Sequence, residues 1–190
     1  SKYGNNGAVV GGAVWNSSGK YGGAISFDGG NDYINAGIFD PMSNSQITLS
    51  AWIYPSSGTT IIMKGNDDIS NSYGIQFVAS GDRANLFTFP STGGTTSWLE
   101  SGANTVPINQ WSYITGVIMG SNKYIYINGI LKNSGTYTGT FASNSNSLWI
   151  GAQDRNSYNY YFNGSIDEVR IYNRSLSASE IQQLYMSNLQ

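Results

Sequence analysis

The chain has 190 residues, a formal net charge of −2, 39% hydrophobic residues and only 11% charged ones. Its few Lys and Arg are scattered, which argues against a nucleic-acid surface built to neutralise phosphates, and no apolar run approaches the roughly 20 residues of a membrane span. It contains no His and no Cys, so Ser-His-Asp and Cys-His catalysis, disulfides and ordinary zinc sites are excluded, and any metal must sit among oxygens, which means Ca²⁺ or Mg²⁺.

One domain over residues 1–190 is expected. The opening, SKYGNNGAVVGGAVWNSSGKYG, reads as a lead-in with one or two short strands. GGAISFDGGNDYINAG gives two strands, about Ala24–Phe27 and Asp32–Asn35, joined by a Gly-Gly-Asn turn. In QITLSAWIYP the residues Ile47, Leu49, Ala51 and Ile53 share one face and Trp52 lies on the other, so both faces are expected to be covered; Pro55 is read as the end of that strand. Further strands follow at TTIIMKG, SYGIQFVA, ANLFTFP and QWSYITGVIMG. Asn128-Gly129 then predicts a tight hairpin between Tyr124–Ile127 and Ile130–Lys132.

After SNSLWIGA and the loop QDRNSYNYYFNG, the alternation of Val169 and Ile171 with Glu168, Arg170 and Tyr172 marks a closing strand. The one helix signal follows it. Ser177 and Glu180 form an S-x-x-E capping box, Leu176 and Ile181 a hydrophobic staple, and Leu184 and Tyr185 continue the stripe. Roughly a dozen short strands with turns between them predict an all-β fold: a two-sheet antiparallel sandwich with one short C-terminal helix.

The series AISFDGGNDYIN, ITLSAWIYP, IIMKGN, QWSYITGVI, YIYINGIL, SLWIGA and FNGSIDEVRIYNRSLSASEI resembles the laminin-G-like, concanavalin A-like jelly-roll domains of bacteria and archaea, with pentraxins as more distant relatives. The likeness runs from about residue 20 to 186. It implies first and last strands lying side by side. It also implies a carbohydrate-binding (lectin-like) or adhesion role on a secreted or cell-surface protein, as one module of a larger multidomain chain.

Three groups of residues are candidates for chemistry. Pairing of the terminal strands would set Asp28 and Asp167 at neighbouring rim positions, where, as such domains often do, they would hold a structural Ca²⁺; the other reading of these carboxylates, and the one favoured for Asp32, is an Asx-turn that satisfies backbone N–H groups. The resemblance to pentraxins brings a second pair of loops together, Asn66, Asp67 and Asp68 with Gln153, Asp154, Arg155 and Asn156. The second loop has fewer acids than pentraxins supply, so the expectation there is a polar ligand patch rather than a two-metal site. Tyr158 and Tyr160 crowd the same loop, and aromatic faces beside polar groups suit a sugar ring; Trp98 lies beside a Gly/Thr/Ser loop. Trp52, Trp111 and Trp149 fall inside strand patterns and are read as core packing. The Asn-x-Ser sequons at Asn16, Asn163 and Asn173 are read as chance in an Asn/Ser-rich chain.

Catalysis is not expected. A glycosidase needs two carboxylates flanking the bond, the only glutamates are Glu100, Glu168 and Glu180, and no strand carries an E-x-D-x-E run. The function expected is non-catalytic binding of a polysaccharide or other glycan outside the cell or on its surface, without nucleic acid or membrane insertion. The alternatives are an adhesion or structural module that binds protein and, behind it, a glycoside hydrolase or polysaccharide lyase.

Overall fold

The computed structural model describes residues 6–42, 44–65, 71–91, 93–142, 144–153 and 160–187. Its strands, in chain order, are β1 (Ala8–Val10), β2 (Val14–Asn16), β3 (Ala24–Asp28), β4 (Tyr33–Asn35), β5 (Gln46–Gly58), β6 (Thr60–Lys64) and β7 (Ser72–Val78). They continue with β8 (Arg83–Phe89), β9 (Ser97–Glu100), β10 (Ser112–Met119), β11 (Asn122–Ile127), β12 (Ile130–Thr136), β13 (Leu148–Ile150) and β14 (Phe162–Tyr172), and the helix α1 (Ala178–Ser187) closes the order. Among the described residues these form two antiparallel sheets of seven strands. Sheet one runs β1-β4-β13-β6-β7-β8-β9 and sheet two runs β12-β11-β10-β5-β14-β3-β2.

The alternation in β5 sets the core. Ile47, Leu49, Ala51 and Ile53 are fully buried between the sheets, against Ile75, Phe77 and Leu86 of sheet one. Gly116 of β10 lets the sheets close at this point: a Cβ there would stand 2.8 Å from both Ile75 and Leu86. Trp52, on the opposite face of β5, is buried as well, because α1 folds over it. Its ring packs on Tyr113 at 5.3 Å and Tyr185 at 5.6 Å, and the Lys20 ammonium sits 4.8 Å from its centroid.

The hairpin at Asn128-Gly129 has positive φ at both residues, 52° and 76°, the type I′ geometry its sequence calls for. The capping box also forms: the Glu180 N–H donates to the Ser177 hydroxyl at 3.3 Å and the Ser177 N–H to the Glu180 carboxylate at 2.8 Å. Leu176 and Ile181 are buried in one cluster with Val117 and Tyr126 of sheet two.

One sequence expectation is corrected. Pro55 does not end its strand; β5 runs on to Gly58, and the proline sits at a register shift opposite Asn163/Gly164, where its missing N–H breaks no regular ladder. The Gly-Gly-Asn turn joins β3 and β4 as expected, without pairing them. It carries the chain from sheet two to β4 of sheet one.

Candidate functional site

The terminal strands pair as expected, β14 against β3, but their register separates the two candidate metal ligands. Asp28 lies opposite Asn163, whereas Asp167 lies one residue beyond the Ile166–Ile25 pair at the other end of β3. Four residues at about 3.3 Å each set them roughly 13 Å apart along the strand, too far for one Ca²⁺. Each carboxylate has backbone partners of its own. Asp28 accepts the Gly30 N–H at 2.7 Å, and Asp167 accepts those of Tyr21 and Glu168 at 2.9 and 2.7 Å. Asp32 is buried and accepts the N–H groups of Gly12 and Asp28; it satisfies backbone donors, but by tying two earlier segments together rather than through the Asx-turn expected of it. Among the described residues no three His, Cys, Asp or Glu side chains converge as a metal site, so Asp28 and Asp167 do not fit the shared ion.

The ligand candidates Asn66, Asp67, Asp154, Arg155, Asn156 and Tyr158, with Asp68, lie outside the described residues. Gly65, before the first group, donates its N–H to the Ser147 carbonyl at the Lys64 end of β6. Gln153, before the second, bonds Gln76, which pairs with Thr60 at the opposite end of that strand. Gly65 and Gln153 thus lie at opposite ends of β6. Tyr160 stays at the Gln153 end, since its neighbour Tyr161 accepts the Thr59 N–H, and Tyr160 is partly exposed.

That end opens onto the outer face of sheet one, whose flanks are accessible while its centre is covered: Met63 and Phe87 are fully buried, and Gln76 and Asn85 nearly so. The register aligns Asn35, Trp149, Met63, Gly74, Phe87 and Trp98 in one row across six strands. A second row holds Thr60, Gln76, Asn85 and Glu100. Their chain neighbours Leu148, Ile62, Ile75 and Leu86 fill the core, so both rows face outward. The first row is aromatic at both flanks. Trp149 stacks on Tyr33 at 4.2 Å, and Trp98, 50% exposed, tilts against Phe87 at 5.7 Å. Trp149 is thus not core packing as its strand pattern suggested. Trp111 is not either; it is half-buried against Tyr54 on the other sheet.

The second row is a run of amides. Gln76 donates to the Gln153 side-chain oxygen at 3.2 Å, and the buried Asn85 side-chain oxygen has no partner among the described residues. Arg83 and Glu100 close the row with an ion pair at 3.2 Å. The buried amides and Phe87 support the face from behind, and the accessible aromatic faces of Trp98 and Trp149 at its flanks can pack on the C–H faces of a sugar. Glu100 is the single carboxylate in these two rows, whereas hydrolysis of a glycosidic bond needs a pair.

The sequence already held the signal for this face. In SYGIQFVA, Gly74 and Gln76 alternate with the core-facing Ile75 and Phe77; what the sequence withheld was the register that lines them up with Phe87, Asn85 and Trp149.

A laminin G-type family model, described as the concanavalin A-like lectin/glucanases superfamily, matches residues 28–182. The chain belongs to that superfamily. No curated protein matches it by sequence. Among solved structures it is similar to domain 4 of AbnA, a GH43 extracellular arabinanase from Geobacillus stearothermophilus, determined in complex with arabinotriose. The two are 25% identical with a TM-score of 0.71, over 94% of this chain and 87% of that one. It is also similar in fold to the binding domain of Paraclostridial Mosquitocidal Protein 1, at 17% identity and a TM-score of 0.75 over 96% of this chain. A third is the binding domain of botulinum neurotoxin DC, determined in complex with rat synaptotagmin II, at 18% identity and a TM-score of 0.69 over 97% of this chain. The chain spans about half the length of the two toxin domains. Its structural neighbours include binding domains, and no described helix is long and apolar enough to cross a membrane.

Proposed function

We propose that this domain is a non-catalytic carbohydrate-binding module of a secreted or cell-surface protein, and that its glycan lies across the outer face of sheet one. The observation that carries this reading is the pair of accessible tryptophans, Trp98 at 50% exposure and the half-buried Trp149, that flank one strand register whose middle, Met63 and Phe87, is buried. From β13 to β9 the row crosses four inter-strand gaps of about 4.8 Å, roughly 19 Å, so it suits an extended neutral chain rather than a single ring. The likeness to an arabinanase domain solved with arabinotriose supports the substrate class and puts arabinan among the first glycans to try.

Affinity electrophoresis against arabinan and a panel of plant and bacterial polysaccharides tests it. At least one polymer should retard the wild type, and Trp98→Ala should weaken that binding about tenfold, because an aromatic stack contributes of order 1 kcal/mol beyond its buried area. Retardation by no polymer, or equal retardation of the variant, overturns the reading. A protein-binding role is the second reading, favoured by the exposure of Val9, Val14 and Trp15 on the edge strands β1 and β2. It predicts that Trp15→Ser, not Trp98→Ala, abolishes association.

A further inference from the structure

At the other end of the sandwich, two loops cross from sheet to sheet: one joins β4 to β5 and the other joins β12 to β13. Between them lies a cup of about 280 Å³ lined mainly by Asp40, Met42, Asn44, Ser45, Tyr73 and Phe141. Asp40 is held in place: its Oδ1 accepts the Tyr73 hydroxyl and the Met42 N–H, each at 3.2 Å. That leaves lone pairs of the carboxylate free to accept further bonds. Phe141 stands edge-on to Tyr73 at 5.7 Å and to Tyr137 at 5.6 Å, which fixes an aromatic wall beside the acid.

The rim is held in an uncommon backbone. Asn44 and Ser45 are consecutive non-glycine residues at φ 49° and 56°, and the Ser45 carbonyl is anchored by the Gly120 N–H at 3.0 Å. Such positions persist only where the surroundings impose them. Lys64, which pairs with Tyr73 across the strands, is fully buried and donates to the Asn146 carbonyl. It supplies a positive field near Asp40 but no donor on the lining. A cup with one fixed carboxylate, amide and hydroxyl groups, an aromatic wall and no basic lining residue does not suit a phosphate or a lipid tail. It suits a neutral hydroxylated ring. Its volume falls below the roughly 300–1,000 Å³ of drug-sized pockets, so it holds one ring and not a chain.

We propose that this cup is a second glycan-contact site that captures a single terminal sugar ring, with Asp40 accepting hydroxyl protons and Phe141 packing on the ring. The inference rests on the carbohydrate reading above and extends it: the outer face takes the interior of a chain, the cup takes an end.

The test uses the full chain and individual monosaccharides (glucose, galactose, mannose, arabinose and N-acetylglucosamine), titrated to millimolar excess and followed by backbone amide NMR. At least one sugar should shift the Asn44, Ser45 and Ala142 amides saturably. Asp40→Asn should weaken that response about tenfold, as for loss of a charge-assisted hydrogen bond, while Trp98→Ala leaves it unchanged. Asn44→Gly, which relieves the left-handed residue and removes its side chain, guards against a folding defect; it should melt at or above the wild-type temperature yet still bind more weakly. The proposal is overturned if no monosaccharide moves these amides, or if Asp40→Asn and Phe141→Ala both bind as the wild type does. A silent cup in a protein that still binds polymer removes the cup alone; a responsive cup in a protein that no polymer retards removes the outer-face site instead.

Discussion

Lys123 shows how one side chain can set a pH dependence. It points into the sandwich, where its ammonium donates to the Thr88 hydroxyl at 3.1 Å, the Ser97 hydroxyl at 2.9 Å and the Ser97 carbonyl at 3.2 Å, with no carboxylate among these partners. Burial lowers its pKa from 10.5 to about 8. Below about pH 8 both folded and unfolded states carry the proton, and the buried charge is a cost. Between there and 10.5 the unfolded chain binds more protons, so stability rises with pH, by an amount on the order of 3 kcal/mol. Urea midpoints should therefore climb from pH 8 to 10 in the wild type and stay flatter in Lys123→Met. A wild-type curve that falls in step with the variant would contradict the assignment. The alternation in NKYIYIN does put Lys123 on the face of Ile125 and Ile127, but a lysine at the end of such a run reads as reaching solvent, and the Thr88 and Ser97 partners that hold it inside come from distant strands. Trp98 is the converse case. It could be singled out from its loop, but its role depends on standing beside Phe87, a neighbour that only the β8–β9 register supplies.

At the level of the element, α1 was legible almost to the residue, since capping box and staple are local patterns. Arg174 was not. It reaches Glu180 at 2.6 Å from outside the helix, and this ion pair, with the Ser177 bonds, holds the Glu180 carboxyl down to about 2 from its usual 4.5. A depressed acid contributes stability above its unfolded pKa and loses it as pH falls through the folded one. Thermal melts between about pH 5 and 2 should therefore fall more steeply in the wild type than in Glu180→Gln, with parallel curves as the contrary result. The exposure of the pair keeps the difference small and salt-sensitive. The β3–β14 pairing was legible as well, but its register was not, since SFDGG and GSIDEV can slide past each other without exposing an apolar residue. The register predicts that Asp28→Asn and Asp167→Asn act independently: residues this far apart with no shared partner have additive effects, within about 0.5 kcal/mol. A double variant no less stable than the worse single one, with EDTA mimicking either, would restore a shared ion.

For the whole molecule, composition and turn spacing sufficed for two antiparallel sheets, because a strand's period is visible in any short window. Which strands neighbour each other was not visible. β3 and β4 are five residues apart in sequence yet sit in different sheets, and that choice is made by Ile25, Phe27 and Ile34 burying against partners more than a hundred residues away. The dominance of such distant pairings predicts slow folding, in milliseconds to seconds. It also predicts that a chain cut after Gln153 shows no cooperative unfolding by circular dichroism; a sharp transition in that fragment would show that the closing strand is dispensable.

β14 lies between β3 and β5, so the strand synthesised last occupies the middle of its sheet. Translation makes β5 about 100 residues earlier, which at 5–20 residues per second is roughly 5–20 s. Throughout that interval the edges of β3 and β5 that β14 joins have no partner, and the gap between them is closed only by a third strand. Any extended segment with the right alternation, from a neighbouring nascent chain or a chaperone client site, competes for that gap. When the competitor is another copy's Phe162–Tyr172, the register, the bulge and the capped helix behind it are all satisfied, and a strand-exchanged dimer would repeat the β3–β14 and β5–β14 pairings of the monomer, differing in the connection that leads into β14.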